Sequence, residues 1–228
     1  MDELASLPSG RHGLSREQVV SSQRARMLKA TADVMKEHGY AGTSVAEIIR
    51  CAGVSRETFY QQFRSKQDCF VQALDAATRQ LTELLSVARP PGPGPDRTAS
   101  DPAETFRRLL RRYLHTLAEQ PAVARLFLVE VHAAGPEAMA RRGEGQRRFA
   151  EAIAEIFPAG AGAGAGAGAD PGPGPEDKDK DQDERRFNSE ALVAAIAHLV
   201  TARLVADDLD GLRALEDPLV RLATRLLS

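Results

Sequence analysis

Apolar side chains recur along this chain at intervals of three and four residues, the spacing that gathers them on one face of an α-helix. From Ser15 the pattern runs through Val20, Leu28, Thr31 and Met35 and stops at Gly39. Ser15 and Gln18 form a capping-box pair for the start, and Gly39 suits the end. A second, short helix is predicted from Ser44, with Glu47 as its capping partner, burying Val45, Ile48, Ile49 and Ala52 before Gly53. A third starts at Ser55 and buries Phe59 and Phe63. A fourth starts at Ser65 and carries Phe70, Leu74, Leu81 and Leu85.

The same period returns further along. Asp101-Pro102 opens a helix with Phe106, Leu109, Leu110, Tyr113, Leu114 and Leu117 on one face. Pro121 opens another with Val123, Leu126, Phe127 and Val131, ending near Gly135-Pro136. A third runs to Phe157 through Met139, Phe149, Ile153 and Ile156. Asn188 is placed to cap the next, with Phe187 and Leu192 as a hydrophobic staple. The last has Asp217 as cap and Pro218 at its first position, with Leu219, Leu222 and Leu226 on one face. No segment alternates with period two and β-branched enrichment, so the fold class is all-α.

Two stretches interrupt this pattern. Arg89 to Pro102 holds Pro-Pro-Gly-Pro-Gly-Pro, and Pro158 to Glu184 holds a Gly-Ala run followed by a dense acidic and lysine segment. Both read as flexible loops, about 90–101 and 158–184, because their composition cannot bury enough apolar surface to offset ordering entropy. The Gly-Ala run is no phosphate loop, since no Gly-Lys-Ser/Thr follows it. Residues 1–14 read as a disordered N-terminal arm without a secretory signal. The longest apolar run, Ala191 to Val200, is too short to cross a bilayer, which takes about 20 residues. A cytoplasmic location without membrane attachment is expected. Cys51 and Cys69 match no metal-ligand spacing and read as two small buried hydrophobes in a reducing compartment. No metal and no cofactor are expected.

The formal charge of −2 conceals an asymmetry. Residues 11–66 carry ten Lys/Arg against five Asp/Glu, whereas residues 67–228 carry 20 against 25. A segment of +5 joined to one of −5 fits a polyanion-binding head on a body that does not touch the polyanion.

The most informative stretch is residues 40–70. It is a short helix, a tight turn at Gly53-Val54 and a second short helix, which is the build of a helix-turn-helix. Gly53 permits the left-handed backbone of such a turn, and Val54 plugs the angle. Phe59 and Phe63 turn inward, leaving Arg56, Glu57, Thr58, Tyr60, Gln61 and Gln62 outside. Those residue types read base edges or hold phosphates. Thr43, Ser44, Ser55 and Lys66 stand at helix starts, where the dipole favours a phosphate.

Residues 16–70 resemble the DNA-binding domain of the TetR family of repressors. The resemblance rests on Gly39 to Ile48 (Gly-Tyr-x-Gly-Thr-Ser-Val-x-x-Ile), Ala52 to Phe63 (Ala-Gly-Val-Ser-x-x-Thr-Phe-Tyr-x-x-Phe) and Ser65-Lys66. It implies a ligand-responsive repressor that binds a pseudo-palindromic operator in double-stranded DNA as a homodimer. It also implies a division into a helix-turn-helix domain, 15–65, and a helical effector-binding and dimerisation domain, 66–228. Arg56, Glu57, Thr58, Tyr60, Gln61, Gln62 and Lys66 fall on the family's DNA-contacting positions.

The stretch Ala191 to Ala206 is apolar nearly all round and is expected to be buried on more than one side. Leu192, Ile196, Leu199, Arg203, Leu219, Leu222 and Leu226 are the expected dimer contacts, two helices from each subunit forming a four-helix interface. Phe106, Tyr113, Phe127 and Phe149 are candidates to line a pocket for an apolar or weakly polar small-molecule effector. The chain lacks a nucleophile elbow, an H-E-x-x-H and a glycine fingerprint, so an enzyme is not expected.

Overall fold

The computed structural model describes residues 15–88, 101–157 and 175–227. The expected arm 1–14 and residues 89–100 and 158–174 of the expected loops lie outside the described residues. All regular structure among the described residues is helical: α1 (Arg16–Gly42), α2 (Val45–Ala52), α3 (Arg56–Gln62), α4 (Lys66–Ala88), α5 (Pro102–Glu119), α6 (Pro121–Leu128), a 3-10 turn (Glu130–His132), α7 (Pro136–Ile156), α8 (Pro175–Val205), α9 (Leu209–Arg213) and α10 (Glu216–Leu227). The chain packs as two units. Of the described residues, one comprises 15–78 together with 121–142, and the other 79–88 and 101–120 with 143–157 and 175–227. The functional division expected after residue 65 is a different partition: packing groups the start of α4 and the whole 121–142 segment with α1, α2 and α3.

Local capping explains most boundaries of the first unit. Ser15 Oγ accepts the Gln18 N–H at 3.2 Å and Gln18 Oε1 accepts the Ser15 N–H at 2.8 Å. Ser44 and Glu47 repeat the arrangement at the start of α2, and Ser55 Oγ takes the Thr58 N–H at 3.0 Å. These bonds satisfy N–H groups that a helix start leaves without partners. The buried face of α1 begins at Met27 and continues through Ala30, Thr31, Val34 and Met35. Val20, expected on that face, is 43% exposed, because it precedes the stretch that packs. Gly39 (φ 69°, ψ 169°) breaks the helix as expected, although one further helical turn follows to Gly42. Gly53 sits in the left-handed region (φ 62°, ψ 43°), and the Val54 N–H closes on Ile49 O at 3.1 Å.

Two apolar clusters fill this unit. Met27, Ala30, Ile48, Ala52, Phe59, Phe63 and Cys69 pack α1, α2, α3 and the start of α4 together, with Val45, Ile49 and Val54 at the margin. Met35, Phe70, Leu74, Leu126, Val131, Ala134 and Ala138 join α1 and α4 to the 121–142 segment. Cys69 is buried as expected, but Cys51 is exposed. It falls off the stripe that Val45, Ile48, Ile49 and Ala52 make on α2.

In the second unit Asp101 caps α5 and Pro102 opens it, and the face from Phe106 to Ala118 is buried. Leu192, Val193, Ile196, Ala197, Val200 and Leu204 of α8 and Leu219, Val220, Ala223 and Leu227 of α10 are also buried. Three expectations fail here. The stretch from 175 is helix rather than loop, so Asn188 is no cap: it lies inside α8 and donates from Nδ2 to Leu226 O at 3.0 Å. Glu, Lys and Gln hold a helix without an apolar stripe through intrinsic propensity, and just beyond this stretch Arg186 pairs with Glu190 at 3.2 Å. Phe187 is 69% exposed and staples nothing. The last helix begins at Glu216, not after Asp217; Pro218 is accommodated because the first turn requires no donor.

Candidate nucleic-acid interface

The second helix of the α2-turn-α3 pair is α3. Phe59 is fully buried and Phe63 nearly so, with ring centroids 5.3 Å apart. Their burial fixes the rotation of a seven-residue helix and turns Arg56, Glu57, Tyr60 and Gln61 to the surface. Thr58 and Gln62 are half-buried at its edge.

The outward side chains brace one another. The Arg56 guanidinium carbon stands 5.3 Å from the centroid of the Tyr60 ring, and Gln61 Nε2 donates to Glu57 Oε1 at 3.3 Å. Thr58 Oγ1 lies 2.9 Å from Ser55 Oγ, and Gln62 Nε2 donates to Val20 O at 3.5 Å, linking α3 to the start of α1. Arg50 and Arg64 are also exposed in this unit.

The other expected contact residues do structural work. Thr43 is only 3% exposed and its Oγ1 donates to Gly39 O at 2.7 Å. Ser44 is committed to Glu47, whose carboxyl is held below the ordinary carboxylate range by hydrogen bonds from the Ser44 hydroxyl and N–H. Lys66 Nζ donates to the carbonyls of Tyr40 at 2.7 Å and Thr43 at 2.8 Å, closing the end of α1. Two further side chains hold the head together. Arg26 Nη1 donates to Ala52 O at 2.9 Å, and Glu130 Oε2 accepts the Tyr40 N–H at 2.7 Å. These pairs are separated by 26 and 90 positions, so no short-range spacing signals them.

Residues 27–73 match the model of the bacterial regulatory proteins of the tetR family. Over this stretch the chain is similar to the tetR family. The uncharacterized HTH-type transcriptional regulator YdgC of Bacillus subtilis (strain 168) is 35% identical over 65 residues, which are 27% of this chain and 33% of that protein. The HTH-type transcriptional regulator RutR of Escherichia coli (strain K12) is 26% identical over 121 residues, 53% of each chain. The chain thus spans a third to about half the length of these relatives. Among solved structures, the fatty acid degradation regulator FadR from Bacillus halodurans superposes with a TM-score of 0.66 at 20% identity, covering 88% of this chain and 94% of that one. FadR from Bacillus subtilis, solved in complex with stearoyl-CoA, gives 0.63 at 17% identity, covering 87% and 96%. These likenesses place the tetR-type fold across both units.

The expected effector residues are distributed unequally. Phe106, Tyr113 and Phe149 belong to the second unit, where the Tyr113 and Phe149 rings stand 5.7 Å apart and Phe106 stands 5.9 Å from Phe157. Phe127 belongs to the first unit, against the Met35–Phe70 cluster. A groove of about 820 Å³ runs along α7 and α8, with Arg147, Ala150, Glu151, Arg185 and Ser189 in its lining. None of those three aromatic rings lines it. Among the described residues, no group of three or more His, Cys, Asp or Glu is assembled to hold a metal ion, and no helix is long and apolar enough to cross a membrane.

Proposed function

We propose that this chain is a DNA-binding transcriptional regulator, a ligand-responsive repressor that binds a pseudo-palindromic operator as a homodimer in the cytoplasm. The observation that carries the reading is α3: a short helix with its aromatic face locked inward and Arg56, Glu57, Tyr60 and Gln61 outward. Arg matches the acceptor pair of guanine, Gln the acceptor and donor of adenine, and a Tyr hydroxyl suits a phosphate oxygen. The family match over residues 27–73 covers this helix.

The dimer reading is supported by the outer face of α8. Leu192, Ile196 and Leu219 are buried within their own unit, which leaves partner contacts to Leu199, Arg203 and the half-buried Leu222 and Leu226. Ala191, Ala194, Leu199, Ala202 and Val205 make an exposed strip in which Leu199 is 38% and Val205 59% exposed. Such a strip on a long helix is covered economically by its symmetry mate. For the effector we propose an apolar or weakly polar small molecule bound in the second unit. Its aromatic pairs are consistent with this, as is the apolar acyl chain, though not the charged CoA part, of the stearoyl-CoA in the Bacillus subtilis FadR complex.

Selection of bound sequences from random duplex DNA, followed by titration across salt concentrations, tests the reading. One preferred sequence with two related half-sites and affinity falling steeply with salt is the expected result. Absence of any DNA binding at low salt overturns it.

A further inference from the structure

We propose that Glu130 is a positioning residue for DNA binding, fixing the α1–α2 junction and through it the pose of α3. This rests on the reading of α3 as the DNA-contacting helix. Glu130 is only 9% exposed and lies in the 3-10 turn that follows α6. Its Oε2 accepts the N–H of Tyr40 at 2.7 Å. That N–H is the first after Gly39, where the backbone leaves the helical region and the ladder of α1 is broken. A carboxylate on a freed N–H at the start of a helical turn is a capping interaction, supplied here by a segment far away in the chain.

The opposite side of the same residue is also held. Lys66 Nζ takes the Tyr40 carbonyl and the Thr43 carbonyl, so the two backbone polar groups of Tyr40 are gripped by side chains of opposite charge from different elements. Glu130 also approaches Gly39 closely: a Cβ built there would meet Oε2 at 3.4 Å. The turn carrying Glu130 is itself anchored, because Leu126 and Val131 on either side are fully packed against the Met35–Phe70 cluster. After Tyr40 the chain has three residues before Ser44 caps α2, and one of them, Thr43, is buried and tied to Gly39. The start of α2 is therefore set by the clamp. Since α2 and α3 share one core through Ile48, Ala52, Phe59 and Phe63, the reading face is set with it.

The test uses the full chain as wild type, Glu130→Ala and Glu130→Gln, with a duplex of the sequence that the wild type selects from random DNA. Dissociation constants are measured beside the active fraction from stoichiometric titration and amide exchange at Tyr40. Glu130→Ala is expected to bind about tenfold more weakly or worse, in its active fraction, with faster exchange at Tyr40. Glu130→Gln, whose amide oxygen still accepts the N–H, is expected to recover most of that loss. A Glu130→Ala chain binding within about twofold of wild type overturns the proposal, as does a loss confined to the active fraction. Should Glu130→Ala not fold, Glu130→Asp, one methylene too short to reach the Tyr40 N–H, takes its place: a few-fold weaker binding with faster Tyr40 exchange supports the proposal, and no change in either overturns it. A wild type that binds no DNA overturns the regulator reading and this inference together, whereas normal wild-type binding with indifferent variants overturns this inference alone.

Discussion

Lys66 holds Tyr40 from two directions, its Nζ donating to the Tyr40 carbonyl at 2.7 Å and standing 4.3 Å from the centroid of the Tyr40 ring. The same ammonium reaches Thr43 O at 2.8 Å. Lys66→Ala therefore removes two charge-assisted hydrogen bonds and a cation–π contact, and is expected to destabilise the first unit by about 2 kcal/mol. Urea unfolding midpoints check this. A lysine acting solely on a DNA phosphate would leave stability unchanged and lower the salt slope of binding by about one, and that outcome would overturn the structural role.

Two glycines with positive φ invite different penalties. Gly53 (φ 62°, ψ 43°) occupies the left-handed helical region, which costs an L-residue about 1–2 kcal/mol. Gly39 (φ 69°, ψ 169°) occupies a region reserved almost wholly for glycine. Gly39→Ala is expected to destabilise more than Gly53→Ala, and Gly53→Asn less than either, since Asn tolerates the left-handed region. Thermal unfolding of the three variants ranks them; equal losses would refute the ordering.

Acid should loosen the second unit at a definite place. Glu216 accepts from Arg111 Nη2 at 2.7 Å and from Arg107 Nη1 at 3.2 Å, and Asp217 pairs with Arg107. The Arg111 and Arg107 guanidiniums hold the Glu216 carboxyl below the ordinary carboxylate range. A carboxyl depressed in the folded state contributes stability that is present above its unfolded pKa, about 4.3, and lost as pH falls through the lower folded value. Glu216→Gln should thus melt slightly below wild type at pH 7, with the gap closing below about pH 4. A gap that persists at low pH would place the effect in packing instead.

Leu199 and Val205 test the proposed homodimer. Glutamate at either position sets a charge on the exposed strip of α8 and leaves the buried row from Leu192 to Leu204 untouched. Either variant is expected to weaken dimerisation at least about tenfold, read by sedimentation, with helical content unchanged. Dimers as tight as those of the wild type would move the interface elsewhere.

What could be read in advance depended on how far apart the cooperating residues are. The starts at Ser15, Ser44, Ser55 and Asp101 were legible because cap and partner lie within three residues. The outward face of α3 was legible because two phenylalanines four apart fix which side is buried. The helix beginning at Pro175 was not, since a charged segment without an apolar stripe has the composition of a loop. Nor was it legible which apolar residues of α8 pack within their own unit: Leu199 and Val205 are as apolar as Leu192, and only packing separates the covered face from the open one. The roles of Arg26 and Glu130 had no sequence signal, because each meets a backbone atom in a distant element. The bond from Thr43 to Gly39 was not legible for a related reason, since a hydroxyl at a helix boundary suits a ligand and a neighbouring carbonyl equally well.

The head is stitched from two lengths of polypeptide. Leu126, Val131, Ala134 and Ala138, all from 121–142, share one core with Met35, Phe70 and Leu74. A fragment ending at residue 78 would present that core to water. Grafting this head onto another regulator therefore calls for three splice points rather than one, and a chimera that keeps a foreign 121–142 segment inherits a mismatched half of the core. Recombination between relatives should be tolerated where the segment travels with the head and penalised where it does not.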